Sequence, residues 1–206
     1  MLRKDIQAFI KAIREHQNIV VKRMLSDLPD LVSAKAKSPP KKNDGQSPLQ
    51  IAFKAGNFEA AATLLEYGAD PNFIEDSEIN EWKAPVLHDA IRATIFNCKT
   101  LRKDTRDFER GLHILRAMLE MGADPNSEDS YGNTCGMRAV LDARQMIFHP
   151  DADNSEAGTV SQLRRVFDVL YKYGADYSHS TQTRASTMEA IKDMGLAEYK
   201  LLPDKA

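Results

Sequence analysis

The stretch Leu64-Leu65-Glu66-Tyr67-Gly68-Ala69-Asp70-Pro71-Asn72 recurs twice later in the chain, as Met118-Leu119-Glu120-Met121-Gly122-Ala123-Asp124-Pro125-Asn126 and as Val169-Leu170-Tyr171-Lys172-Tyr173-Gly174-Ala175-Asp176-Tyr177-Ser178. In each copy an apolar run ends at a glycine, which is typical of a helix that closes with a left-handed residue, because glycine lacks a Cβ. The recurrence predicts an internal repeat, in which each unit buries its apolar face against its neighbours.

The composition bounds the fold and the kind of partner. The chain has 206 residues, of which 42% are hydrophobic, and this is enough for one globular body or one solenoid. Its formal net charge is −2, so no global field draws it to nucleic acid or to a membrane. Residues 1–54 nevertheless carry 11 Lys/Arg against 5 Asp/Glu, and residues 55–90 carry 1 against 8. Such blocks indicate either a patterned binding surface or ordinary solvated helices.

Cysteine use and the N-terminal residues indicate the compartment. Cys98 and Cys135 are far apart in the chain, so we expect neither a disulfide framework nor a zinc site, which fits a reducing cytosol. Residues 1–7 contain no continuous apolar stretch, so we expect no secretory signal and no transmembrane span. The sequence therefore predicts a cytoplasmic protein.

The N-terminal region is expected to form two helices and a loop. Apolar residues recur at helical spacing over Asp5–His16, and a second short helix follows and ends at Pro29. Residues 32–44 are then rich in lysine and contain the pair Pro39-Pro40, which is typical of an exposed loop.

A regular pair of helices is expected next. Ser47 is placed to cap a helix that has Pro48 at its first position, where proline's missing N–H is not needed. This helix is expected to end near Gly56, and its partner is expected over Phe58–Tyr67.

This unit resembles the ankyrin repeat. That repeat opens its first helix with Gly-x-Thr-Pro-Leu-His-x-Ala, has a glycine after that helix and closes with Gly-Ala-Asp-x-Asn. Residues 45–72 follow the pattern without gaps, in the order Gly45, Ser47 in place of Thr, Pro48, Leu49, Gln50 in place of His, Ala52, Gly56 and Gly68-Ala69-Asp70-Pro71-Asn72. So many residues at fixed offsets make the resemblance specific.

Two later units resemble the same repeat but are longer. The second opens with Pro85-Val86-Leu87-His88-Asp89-Ala90, and the third opens with Gly132-Asn133-Thr134-Cys135-Gly136-Met137-Arg138-Ala139. The opening alanine and the closing glycine lie 16 residues apart in the first unit, 32 in the second and 35 in the third. Two units are thus expanded between their helices by 16 and 19 residues. We expect their first helices to continue over Val86–Thr100 and Met137–Phe148, which stay amphipathic.

The resemblance implies an all-α ankyrin-repeat solenoid of about five stacked helix pairs, which forms a single domain over residues 1–206. Its expected parts are an N-terminal cap pair with the Lys/Pro loop at 1–44, a repeat at 45–74, expanded repeats at 75–128 and 129–180, and a C-terminal cap at 181–206. In the C-terminal cap, a helix opening near Ser186 ends at Gly195, and a short closing helix follows over Leu196–Leu202.

The pair His88-Asp89 is the nearest approach to a catalytic motif. No nucleophile accompanies it at a fixed spacing. The resemblance implies instead a structural role for His88, which closes the turn at the helix start by hydrogen bonding.

Two charged clusters are also interpreted as structural. The acidic cluster at residues 151–156 fails as a calcium loop, because counting from its first residue places Glu156 where a glycine is needed; its members are Asp151, Asp153, Asn154 and Glu156. Ion pairs along a solvated helix explain the mixed charges of the second expansion, namely Arg102, Lys103, Arg106 and Arg110 with Asp104, Asp107 and Glu109. We therefore expect no catalytic, cofactor or metal site and no enzyme.

The resemblance implies that protruding turns and exposed positions of the first helices line a concave groove for the partner. Trp82, the only tryptophan, falls on such a turn, and Trp, Tyr and Arg dominate interface hot spots. The alternative is that Trp82 folds back onto residues 73–80. The expected partner-binding residues are Trp82, Tyr131, Arg92, Glu81, Lys54, Gln46, Asn133 and Asp142.

The expected function is non-catalytic binding of another protein by a monomer, with no nucleic acid, membrane or small-molecule substrate. Two alternatives stay open. One is an inhibitor or immunity-type protein that blocks a toxin or enzyme with its long insertions, and the other is a bacterial effector acting on a host protein.

Overall fold

A computed structural model of the chain describes residues 2–153, 155 and 157–204. Within these residues the secondary structure is helical, and β-type pairing is limited to isolated bridges. The all-α prediction is confirmed. The α-helices are α1 Arg3–Arg14, α2 Asn18–Asp27, α3 Pro48–Lys54, α4 Phe58–Glu66, α5 Val86–Ile95, α6 Arg106–Glu120, α7 Cys135–Ile147, α8 Thr159–Lys172 and α9 Thr187–Asp193, with short 3-10 helices at Pro29–Ser33, Lys41–Asn43 and Ala197–Tyr199.

The helices stack as pairs in two layers. Each first helix packs on its own second helix, as in α3 with α4 and α5 with α6. The first helices α1, α3, α5, α7 and α9 also contact one another in that order, and so do α2, α4, α6 and α8. Four pairs are fully α-helical, whereas in the fifth α9 is followed by a single 3-10 turn. The apolar side chains between the layers form one continuous core.

The Gly-Ala-Asp copies end helices as predicted. Gly68, Gly122 and Gly174 have φ angles of +86°, +89° and +96°, the left-handed region that residues with a Cβ avoid. The N-cap prediction is also confirmed, because the Oγ of Ser47 accepts a bond of 3.2 Å from the backbone N–H of Gln50.

The asparagine that follows two of these caps joins successive repeats. The amide of Asn72 donates to the carbonyl oxygen of Gly122 and accepts from the N–H of Asp124, both at 2.8 Å. Asn126 makes the same pair of bonds to Gly174, at 2.9 Å, and to Asp176, at 2.8 Å. The third copy has Ser178 at this position, and among the described residues no fourth Gly-Ala-Asp cap follows it.

The extra length of the expanded repeats is shared among three places. The first helix has 7 residues in α3, 10 in α5 and 13 in α7. The second helix has 9 residues in α4, 15 in α6 and 14 in α8. The rest lies in the connections at residues 96–105 and 148–158. The expected extension of α5 to Thr100 is therefore wrong, whereas α7 ends within one residue of the expectation.

These two connections are bonded to each other. The N–H of Leu101 donates to the carbonyl oxygen of Asp151 at 2.8 Å, and the hydroxyl of Thr159 donates to the carbonyl oxygen of Lys99 at 2.7 Å. Lys99 Nζ lies 2.8 Å from Oδ2 of Asp153. Of the acidic cluster, Asn154 and Glu156 lie outside the described residues.

The mixed charges of the second expansion pair both across the fold and locally, where Arg106 lies 3.3 Å from Asp104. Glu109 receives two bonds from the guanidinium of Arg165, at 2.5 and 2.7 Å, and Arg102 lies 3.1 Å from Asp151. Only Arg110 with Asp107 forms the expected pair on one helix, at 3.3 Å. The helical interpretation is otherwise wrong, because residues 100–105 precede α6. These bonds tie the two expanded repeats into one extension of the stack.

No helix among the described residues is long and apolar enough to cross a membrane. Cys98 and Cys135 are both free and buried.

Candidate functional site

The turns that precede the first helices are joined in a row. The N–H of Asp76 donates to the carbonyl oxygen of Gly45 at 3.0 Å, and the N–H of Ser130 donates to that of Lys83 at 2.9 Å. The hydroxyl of Thr183 donates to the carbonyl oxygen of Tyr131 at 2.7 Å. Such bonds hold each turn by its neighbour, so the surface that the turns present is rigid.

Trp82 is half-buried on one of these turns. Its indole N–H donates to Oδ2 of Asp129 in the next turn at 3.0 Å, and the ammonium of Lys54 lies 5.9 Å from its ring centroid. Trp82 is thus bonded forward to the next repeat, while its side chain also lies beside Ile79 of residues 73–80, the segment named in the alternative interpretation. Together with Ile79 and Tyr131 it lines a groove of about 710 Å³, which we call the Trp82 groove.

Asp129 is the anchor of this arrangement. Burial raises its pKa, but hydrogen bonds from Asn133, Trp82 and the backbone of Tyr131 outweigh burial, so the pKa lies below its ordinary value. The carboxylate is therefore charged at neutral pH and holds both its own turn and the indole.

Lys54 lines the Trp82 groove and lies between two buried carboxylates. Its Nζ is 3.7 Å from Oε2 of Glu75 and 3.7 Å from Oδ1 of Asp89. Burial raises the pKa of Asp89 to about 6, against the opposing effects of Lys54 and of a 3.0 Å bond from Gln50. This cluster joins α3 to the turn and the helix that follow.

Arg92 is exposed on α5, and its guanidinium lies over the ring of Phe96 at 5.3 Å from the centroid. Stacking of this kind holds the planar group in place while its N–H edges stay open to a partner. Glu81 and Tyr131 are exposed as well.

Three of the expected binding residues are buried instead. The expected exposure of Asp142 is wrong, because its side chain is enclosed and takes two bonds from Arg138, at 2.6 and 2.9 Å. The amide of Asn133 bonds to Asp129 at 2.8 Å, and that of Gln46 bonds to the carbonyl oxygen of Lys42 at 2.9 Å. These three side chains are therefore internal: Asp142 stabilises α7, and Asn133 and Gln46 stabilise the turns in which they lie.

His88 is structural, as expected, but its bond runs to a different place. Its Nε2 lies 3.2 Å from the carbonyl oxygen of Ser127, just after the second Gly-Ala-Asp cap, so it does not close the turn at the start of its own helix. Gln50, at the equivalent position, likewise donates to the carbonyl oxygen of Ala84 at 3.2 Å. Burial lowers the pKa of His88 to about 4, so the ring is neutral at pH 7.

Sequence reasoning missed Asp129 and Ile79 as contributors to this surface. Ile79 is an isolated apolar residue near Trp82 in a polar turn, and this was the available signal. Asp129 acts through a contact with a distant part of the chain, which no local pattern reveals. Within the part of the chain that the structure describes, no group of His, Cys, Asp or Glu is arranged to hold a metal ion.

Residues 44–76 match the family model of the ankyrin repeat. No relative of the chain is found among curated proteins. Residues 44–76 are therefore similar to an ankyrin repeat, and the all-α stack of helix pairs is consistent with the ankyrin-repeat fold.

Proposed function

We propose that this protein is a non-catalytic module that binds another protein through its turns and first helices. The observation that carries the proposal is the Trp82 groove, in which one half-buried tryptophan lies beside two apolar side chains, Ile79 and Tyr131, each 48% exposed. Buried aromatic anchors surrounded by further apolar area are typical of interface hot spots.

Rigidity supports the same function. Asp129 holds the indole, and the turns are bonded to one another, so little conformational entropy remains to be lost when a partner docks. Ankyrin repeats bind other proteins, and this general role agrees with the proposal. Trp82, Tyr131, Arg92, Lys54 and Glu81 are the residues proposed to contact the partner.

The proposal concerns the surface and leaves the biological setting open between adaptor, inhibitor and effector. The inhibitor interpretation relied on long insertions that plug a partner. In the described residues these connections bond to each other, so a partner would meet a folded extension there and not two separate loops.

The test compares proteins captured from cells of the source organism by three forms of the full chain. The double variant W82A/Y131A removes the aromatic side chains of the groove. The control I19A/M121A removes two exposed apolar side chains on other parts of the surface, 88% and 47% exposed. We expect a partner that the wild type and the control retain and the groove variant loses, as measured by quantitative mass spectrometry. Equal retention by the groove variant would contradict the proposed surface.

A further inference from the structure

Cationic side chains line three adjacent grooves on the side of the first helices. A groove of about 200 Å³ beside α1 is lined by Lys11, Arg14 and Lys37. A second, of about 350 Å³, is lined by Lys54, Arg92 and Lys103, and Lys42 joins Lys54 in the Trp82 groove. All are exposed. We call this set the basic face: Lys11, Arg14, Lys37, Lys42, Lys54, Arg92 and Lys103.

Part of the basic face repeats with the fold. Lys54 is the seventh residue of α3 and Arg92 is the seventh of α5. Arg14 lies two residues before His16, which has a φ of +55°. In the same way, Lys54 lies two residues before Gly56, which has a φ of +67°. Cations therefore occupy the same position in three successive helical pairs.

The carboxylates nearby offset part of this charge, because Lys11 pairs with exposed Glu15 at 3.8 Å and Lys54 pairs with two carboxylates. Glu75 and Asp89 are buried, and both pair with the single ammonium of Lys54. Glu81 is the one exposed carboxylate among the described residues lining these three grooves. Arg92 stacks on Phe96, and Lys103 donates to a carbonyl oxygen at 3.0 Å, so both keep their full positive charge. A positive surface thus exists on a chain whose net charge is −2.

Apolar side chains line the same grooves as the cations and continue beyond them. Ile6 and Ile10 line the first groove, and Phe53 and Phe96 line the second. In α7 the seventh residue is Leu141, so at this position an apolar side chain replaces the cation. A groove of about 370 Å³ there is lined by Met137, Leu141 and Met194, among others.

We propose that the basic face docks an acidic segment of a partner protein, whose Asp and Glu side chains alternate with apolar ones. This inference rests on the proposed function and deepens it by specifying the chemistry of the partner. Charge complementarity argues for this occupant, since opposite charges steer association and fix orientation. A nucleic acid would bring a phosphate at every nucleotide, whereas a peptide can place its carboxylates at the cations and its apolar side chains between them.

The test uses a displayed library of random short peptides selected on the immobilised full chain. Enriched peptides are then labelled, and their binding is measured by fluorescence anisotropy at low and high salt. The variant R14Q/R92Q/K103Q removes three charges of the basic face, and the control K22Q/R23Q/R116Q removes three exposed charges from α2 and α6. Circular dichroism is used to check that each variant is folded.

We expect the enriched peptides to contain an excess of Asp and Glu over the input library. Loss of three exposed ion pairs should weaken their binding about tenfold in R14Q/R92Q/K103Q, and the control should bind like the wild type. Salt should weaken the wild type more than the basic-face variant.

Other outcomes overturn the inference. If the peptides show no acidic excess but depend on Trp82 and Tyr131, the acidic partner is wrong and the proposed function stands. If no peptide prefers the wild type over either W82A/Y131A or R14Q/R92Q/K103Q, both fail. A further outcome is that a labelled single-stranded oligonucleotide binds as tightly as the acidic peptides and fails to bind R14Q/R92Q/K103Q. In that case the basic face is a nucleic-acid-binding surface.

Discussion

The indole N–H of Trp82 donates a hydrogen bond of 3.0 Å to Oδ2 of Asp129, which lies 47 residues later in the chain. The bond joins the turns of two successive repeats and fixes the largest side chain of the candidate site. It also makes the orientation of Trp82 depend on a residue outside its own repeat.

Replacing Asp129 by alanine should release Trp82. The buried N–H groups that this carboxylate accepts from would lose their partner, and we expect a loss of about 2 kcal/mol in the free energy of unfolding. Tryptophan emission should shift to longer wavelength as water reaches the indole. The matched variant D107A removes an exposed carboxylate that pairs with Arg110 on α6, so it should cost at most about 0.5 kcal/mol and leave the emission maximum unchanged. An unchanged emission maximum in D129A would show that the bond does not hold the ring.

Replacing Asn126 by alanine should loosen the stack between its last two Gly-Ala-Asp caps. The variant loses two hydrogen bonds to the next cap, and each such bond contributes about 1 kcal/mol, so we expect a loss of about 2 kcal/mol. Urea unfolding followed by circular dichroism measures it. The variant S178N places asparagine where no further such cap follows among the described residues, and it should bring no gain in stability. A clear gain in S178N would contradict the explanation.

The link between the two expanded repeats can be tested at Thr159. Its hydroxyl donates to the carbonyl oxygen of Lys99 at 2.7 Å and accepts from the N–H of Asp153 at 3.0 Å. T159V removes both bonds, and we expect faster proteolysis at residues 99–105 and a loss of about 1–2 kcal/mol. The control T105V changes a hydroxyl that makes no cap bond at the start of α6. Equal cleavage rates in the two variants would argue against the link.

His88 should make the fold sensitive to acid. Its pKa is about 4 in the folded protein against 6.5 ordinarily, so below pH 6.5 the unfolded chain binds a proton that the folded chain does not. Its contribution to stability is complete above about pH 6.5 and is lost as pH falls towards 4, by about 3 kcal/mol at about 1.4 kcal/mol per pKa unit.

The raised pKa of Asp89 acts in the opposite direction, because its contribution is complete below pH 3.8 and is lost as pH rises towards 6. The measurement is therefore the difference between wild type and H88Q, from urea unfolding between pH 7 and pH 4. Glutamine can donate to Ser127 without titrating, so H88Q should lose less stability than the wild type on acidification. Parallel losses would exclude His88 as the cause.

The sequence by itself determined the elements whose signals are local. The caps at Gly68, Gly122 and Gly174 and the start of α3 at Ser47 depend on residues within a turn or two of each other, so their patterns could be recognised directly. The repeat of those patterns then identified the all-α stack, because each unit must bury its apolar face on the next.

Only the tertiary structure decided how the expanded repeats end and which side chains face a partner. The helix α5 ends at Ile95 and a connection follows, which bonds to residues near Asp151. Asp142 is enclosed with Arg138, and Trp82 turns towards Asp129. The exposure of a side chain and the position of a long connection depend on surfaces brought together from distant parts of the chain. Such contacts cannot be predicted from the local spacing of residues.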